Sequence, residues 1–114
     1  MDTDMKCLIV EGRTDKLQIE PILDEPVIIL CTNGTMDTEA LEDLIEPYEY
    51  CQLYTLFDAD KSGAFLRKVM DRVYPEARQL QTLNMYKEVA TTPRSILGKI
   101  LLAENFKIKK NYIL

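Results

Sequence analysis

The chain has 114 residues, 46% of them apolar and 29% charged, with a formal net charge of −5. That length suits one domain around one core, and the composition is that of an ordinary globular protein. The acidic balance argues against a broad, non-specific nucleic-acid surface, which depends on many Lys and Arg contacts to phosphate. No apolar run approaches the roughly 20 residues needed to span a bilayer. The start, Met1-Asp2-Thr3-Asp4, lacks the basic residues of a signal peptide, so a cytoplasmic location without membrane attachment is expected. There is no histidine, which removes Ser-His and Cys-His nucleophile pairs. Cys7, Cys31 and Cys51 sit in apolar runs without Cys-x-x-Cys spacing and read as reduced core residues.

Residues 6–10 (Lys6 to Val10) read as a buried strand, short, apolar and β-branched. Glu11 closes it, and Gly12 permits a sharp exit towards a helix. Thr14 or Asp15 is placed to cap that helix, with Leu17, Ile19, Ile22 and Leu23 as its apolar positions. Pro21 should kink or end it. Val27 to Cys31 is the clearest strand, apolar throughout as if buried on both faces of a parallel sheet. Thr32 to Thr35 is a turn. Thr35 or Asp37 then caps a helix running to residue 46, with Leu41, Leu44 and Ile45 on one face, and Pro47 stops it.

Residues 51–57 form a third strand that delivers Asp58 and Asp60 at its end. A helix over 62–74 follows, with Phe65, Val69 and Val73 as its apolar face. Arg78 to Leu83 reads as a fourth, shorter strand and Asn84 to Thr92 as a polar loop. Thr92-Pro93 predicts a helix start, with Thr92 as cap and Pro93 first in the helix, and with Ile96, Leu97, Ile100 and Leu101 as the apolar face. Phe106 to Leu114 is an edge strand or a tail packed through Phe106, Ile108 and Tyr112.

Alternating strands and helices imply crossover connections and a parallel sheet covered on both faces. Ligands of such sheets bind beyond the strand C-termini, where the strand order reverses. Glu11 and the Asp58/Asp60 pair meet there only if strands one and three are neighbours, which gives the order 2-1-3-4. Three carboxylates in one place suit magnesium, a hard cation that takes one or two protein carboxylates and keeps its remaining positions for water and phosphate. Without metal, Glu11 beside two other acids would keep its proton more readily and serve as a general acid.

Two segments carry a family resemblance. Leu8-Ile9-Val10-Glu11-Gly12-Arg13-Thr14-Asp15 has a strand-Glu-Gly-x-x-Asp pattern, and Leu56-Phe57-Asp58-Ala59-Asp60-Lys61-Ser62-Gly63 has Asp-x-Asp-x-x-Gly. In this order and spacing the chain resembles a Toprim domain, the module of bacterial primases, topoisomerases, OLD-type nucleases and a ribosomal-RNA maturation nuclease. It is most similar to small stand-alone bacterial Toprim proteins and to the Toprim part of that nuclease. The likeness covers about residues 5–84, with the helix 93–104 and the tail packing on that core. It implies a three-layer, Rossmann-like α/β fold. It also implies Glu11 as general acid or base, with Asp58 and Asp60, and Glu11 where needed, as ligands of Mg2+ or Mn2+. Gly12, Asp15, Gly34, Lys61 and Gly63 are the accessory positions. Nucleic acid, RNA or DNA, is the implied partner, with a protein partner supplying recognition.

Ser62 stands where topoisomerases carry a third aspartate; topoisomerases also need a tyrosine on a separate domain and primases need additional domains, so neither activity is expected of this chain alone. Nuclease or phosphotransfer chemistry is therefore the expectation, beside a catalytically silent module that binds nucleic acid or a nucleotide. Plainer readings exist for each residue. Asp58 and Asp60 also suit a turn, and Asp15 a helix cap. Arg13 and Lys61 either hold phosphate or form surface ion pairs. Arg94 and Lys99, and the cluster Lys107, Lys109 and Lys110, read as solvated surface. A response-regulator receiver would have its acidic pair after the first strand and a lone aspartate after the third, the reverse of this chain. Lys87 is followed by Glu88, not by the proline such a domain would need.

Overall fold

The computed structural model describes residues 4–34, 37–82 and 85–113. Thr35, Leu83 and Asn84, named above in a turn, a strand and a loop, lie outside them. The element order is β1 (Lys6–Val10), α1 (Arg13–Ile19), β2 (Val27–Cys31), α2 (Thr38–Ile45), β3 (Gln52–Leu56), α3 (Lys61–Val73), β4 (Arg78–Leu80) and α4 (Arg94–Ala103). Single 3-10 turns lie at Glu20–Ile22, Glu46–Tyr48 and Lys110–Tyr112. Among the described residues the strands form one sheet in the order β2-β1-β3-β4, and every pairing is parallel. This is the expected Rossmann-like order, with the switch point between β1 and β3.

Period-two alternation splits the apolar residues of the sheet between two cores. Leu8 and Val10 of β1 join Tyr54 and Leu56 of β3 on one face, beneath Ile19, Leu97 and Leu101 of α1 and α4. Cys7 and Ile9 join Leu53 and Phe57 on the other, beneath Leu41 and Ile45 of α2 and Leu66, Val69 and Met70 of α3. Helices therefore cover both faces, and β1 is buried from Cys7 to Val10. In β2 only Leu30 is fully buried. It is an edge strand, with one neighbour instead of two, so its unbroken apolar run overstated its burial.

Some local expectations hold, among them Pro21 ending the first helix and Asp37 capping the second, and others are corrected. Gly12 occupies the N-cap of α1, while Asp15, at the third helical position, accepts the Gly12 N–H at 2.9 Å. Thr14 does not cap. Pro21 falls in the 3-10 turn after Ile19, where a missing N–H costs little. α2 is capped by Asp37, which accepts Ala40 N–H at 2.7 Å, and ends at Ile45 before Pro47. α3 starts at Lys61, and its buried face is Leu66, Val69 and Met70, with Phe65 40% exposed. β4 stops at Leu80. Pro93, not Thr92, is the N-cap of α4, because the Thr92 hydroxyl instead donates to Glu88 O at 2.7 Å. Cys31 is half-buried, whereas Cys7 and Cys51 are buried; all three are free thiols.

The residues after α4 form a tail, not a strand ladder. A single antiparallel bridge joins Ile108 to Leu23, and Lys109 N–H donates to Ile22 O at 2.9 Å. Phe106 enters the α1/α4 core and meets the Tyr54 ring edge-on, with centroids 4.7 Å apart. Lys6 lies 5.4 Å from the Phe106 ring and pairs with Glu25 at 3.2 Å. The tail thus contributes a large buried ring to a core whose remaining members come mostly from residues 8–101. Replacing Phe106 by Ala should lower stability by about 3–5 kcal/mol in urea unfolding, whereas Met85→Ala, at a residue 75% exposed, should change it by less than about 0.5 kcal/mol. Equal effects would mean that the tail is not part of the core.

Candidate functional site

β1 and β3 run side by side, with Ile9 in register with Thr55, so their C-terminal ends release Glu11 and Asp58 next to one another. The Glu11 carboxylate joins the two ends. Its Oε2 accepts the Asp58 backbone N–H at 2.6 Å and its Oε1 accepts the Ser62 hydroxyl at 3.2 Å. Asp58 Oδ1 accepts the Val89 N–H at 2.8 Å, and the Asp58 carbonyl accepts Arg67 Nη1 at 3.1 Å. Asp60 caps α3, its Oδ1 accepting Gly63 N–H at 2.8 Å. Ala59 N–H donates to Lys87 O at 2.7 Å. The acidic turn is therefore held from three directions: by Glu11, by α3 and by the 87–89 segment.

The accessory positions divide. Asp15 is 4% exposed and ties the β1–α1 turn through Gly12 N–H. Asn33 and Gly34 both adopt positive φ, 53° and 81°, and the turn they make sends Asn33 N–H to Glu11 O at 2.7 Å. Gly34 thus supports the Glu11 backbone through the turn. A Cβ on Gly63 would overlap the Asp58 carbonyl oxygen and lie 2.9 Å from its carbon. Gly63 is needed for close backbone approach, which lets α3 start directly beneath the acidic pair. Lys61 is exposed at the first position of α3. Arg13 lines a cleft of about 450 Å³ together with Lys16, Leu17, Glu20, Cys31 and Asn33.

Sequence reasoning missed Val89 and Arg67. Val89 is fully buried within a stretch that is otherwise polar, and that isolated apolar residue was the available signal. Arg67 left none, because an arginine on a helix next to a lysine reads as solvated surface.

Burial lifts the Glu11 pKa above the usual 4.5; the Asp58 N–H bond opposes this, and the charges of Asp58 and Asp60 add to the rise. Burial also raises Asp15 above 3.8, again against a backbone bond, from Gly12. Among the described residues no three His, Cys, Asp or Glu side chains converge as a ready metal cage. Asp58 Oδ2 and Asp60 Oδ2 accept no hydrogen bond among those described, which leaves two hard oxygen donors on one turn. That donor set fits magnesium, for which one or two carboxylates suffice.

Comparison with known proteins agrees with the fold. A small TOPRIM domain protein from Bacillus stearothermophilus superposes with a TM-score of 0.91 at 40% identity, over 97% of this chain and 94% of its own. The chain belongs to the Toprim family. An uncharacterized Bacillus subtilis (strain 168) protein, YusF, is 44% identical over 108 residues, 95% of this chain and 74% of its own length. A chain from a structure of bacteriophage T7 lagging-strand DNA polymerase with primase domains shares the fold, at a TM-score of 0.55 and 16% identity over 96% of this chain and 58% of its own. No family profile matches the sequence. The Toprim family is associated with metal-dependent enzymes of nucleic acid, and among the described residues of this Toprim protein no helix is long and apolar enough to cross a membrane.

Two outcomes are expected of this Toprim site. Gly63→Ala should lower stability by at least about 1–3 kcal/mol, because backbone must move to admit the methyl group. Unfolding that matches wild type would show that the close approach is absent. Glu11 has a folded pKa above its unfolded value, so its stabilising contribution is full below the unfolded pKa and is lost as pH rises through the folded one. The melting temperature of Glu11→Gln minus that of wild type, measured in EDTA, should therefore climb as pH is raised from about 4.5 to 7. A difference independent of pH would contradict the raised pKa.

Proposed function

We propose that this Toprim protein carries out magnesium-dependent phosphodiester or phosphotransfer chemistry on nucleic acid, with Asp58 and Asp60 as metal ligands and Glu11 as general acid or base. The observation that carries this reading is the bridge from Glu11 Oε2 to Asp58 N–H at 2.6 Å, which puts a carboxyl of raised pKa beside the acidic pair at the switch point. A bound magnesium ion would neutralise phosphate charge and polarise its oxygens.

The remaining roles belong to the chain. Asp58 and Asp60 offer Oδ2 to the ion while their Oδ1 atoms keep the turn rigid. Glu11, whose pKa burial raises, gives a proton to the leaving oxygen or takes one from the attacking oxygen. Completing the metal shell is its second role. Lys61 stands beside the pair to receive phosphate oxygens. Asp15 positions Gly12, and through it Glu11. Nucleic acid is supported as substrate by the family association, and a protein partner would supply recognition that an acidic surface does not.

A second reading has its own observation. Both Glu11 oxygens already accept hydrogen bonds, as a structural carboxylate in a silent binding module would. Titration calorimetry and cleavage assays separate the two. Manganese or magnesium should bind wild type, and Asp58→Asn with Asp60→Asn should abolish that binding; equal heats in both would remove the metal site. On RNA and DNA substrates, Glu11→Gln should slow cleavage about 10²–10⁴-fold while weakening metal binding far less than loss of both aspartates does. Wild type that binds metal but cleaves neither polymer would favour the silent module.

A further inference from the structure

α3 leads away from the acidic turn, and its outer face differs from the rest of the surface. Lys61, Phe65, Lys68 and Arg72 recur at i, i+4, i+7 and i+11, which places them within about 60° of one another around the helix. All four are exposed. Phe65 is 40% exposed, although Leu66, Val69 and Met70 of the same helix are buried. Lys61, Lys68 and Arg72 flank this aromatic ring and form no ion pair among the described residues; Arg72 donates to the Thr38 hydroxyl at 2.9 Å. Asp71 lies off the stripe and accepts from Gln79 at 2.8 Å. On a chain of net charge −5, this is a local reversal of sign. The stripe starts at the residue after Asp60 and runs about 16 Å along the helix.

We infer that the outer face of α3 is a track for single-stranded nucleic acid, with Phe65 stacking an unpaired base while Lys61, Lys68 and Arg72 contact successive phosphates. The inference deepens the proposed function and rests on it for the class of polymer. An exposed phenyl ring needs a base outside a duplex, because paired bases present no free face; stacking and backbone charge together are the usual means of holding single strands. The position of the stripe supplies direction. A strand lying on it has one end at the Asp58/Asp60 turn, so the α3 face feeds the phosphodiester to the acids. It also accounts for Phe65 being excluded from the α2/α3 core.

The test is anisotropy of fluorescein-labelled oligo-dT and oligo-U of about 20 nucleotides, in EDTA so that no metal contributes. The DNA and RNA arms show which backbone is preferred. Three phosphate contacts predict a log–log salt slope of about −2, and Lys61→Ala or Lys68→Ala should each flatten it by about 0.7. Phe65→Ala and Phe65→Leu should weaken binding about 5- to 100-fold, and Phe65→Tyr should restore it. These side chains are exposed, so circular dichroism and melting should match wild type. The track is overturned if the Phe65 and Lys68 variants bind as wild type does, if none of the oligomers binds, if a duplex binds as tightly as the single strands, or if polyglutamate competes equally. Asp58→Asn with Asp60→Asn should bind at least as tightly as wild type in EDTA. A chain that binds through Phe65 yet takes up no metal keeps the track and loses the metal site. A chain that binds metal and cleaves with an unchanged KM in Phe65→Ala keeps the site and loses the track.

Discussion

The rest of the site depends on one hydrogen bond, from the Asp58 N–H to Glu11 Oε2. It joins the exits of two strands whose starting points lie 46 residues apart, Lys6 and Gln52 being register partners. A parallel pair leaves its C-terminal exits without ladder partners, and here a side chain supplies one. The bond has an electrostatic cost as well as a geometric benefit. It draws a carboxylate into a half-buried position beside two others, which raises the pKa of Glu11. The contact that fixes the strand ends thus also holds Glu11 among like charges, its own hydrogen bond opposing the rise that burial and those charges cause. Such double use gives a domain without histidine a carboxyl whose pKa lies above the ordinary carboxylate value.

Close backbone approach is the second constraint. Gly63 allows α3 to begin against the Asp58 carbonyl, and Gly98 allows the C-terminal turn to lie on α4, where a Cβ would be 2.7 Å from Tyr112 O. Neither glycine has a positive φ; both are sites where the absence of a side chain matters, not backbone freedom. The acid turn and the tail are each set against a helix in this way, and each would shift if a methyl group intervened.

Much of this was legible in the sequence. Unbroken apolar runs at Cys7–Val10 and Val27–Cys31 marked parallel strands, and the two acidic exits forced strands one and three together, which fixed the order. The Asp-x-Asp-x-x-Gly and Glu-Gly-x-x-Asp patterns pointed to the correct strand ends. What was hidden depends on tertiary neighbours. Phe65 fits a helical apolar stripe as well as Leu66 does, and only the direction in which α3 meets the sheet decides between them. Thr92 has the chemistry of a cap, but its hydroxyl donates to the Glu88 carbonyl instead. Val89 looked like a stray apolar residue in a loop, and its N–H is the partner of the Asp58 carboxylate.

The contacts of the 87–89 segment impose an order on assembly. Ala59 and Asp58 are each held by a residue about 30 positions further along the chain. During synthesis the first three strands emerge and can pair well before Lys87 and Val89 leave the ribosome, since chains fold from the N-terminus as they are made. Until then the acidic turn has only Glu11 and α3 to shape it. The setting of the two aspartates is thus completed by residues made after all four strands, so a half-made chain lacks the geometry that its finished form depends on.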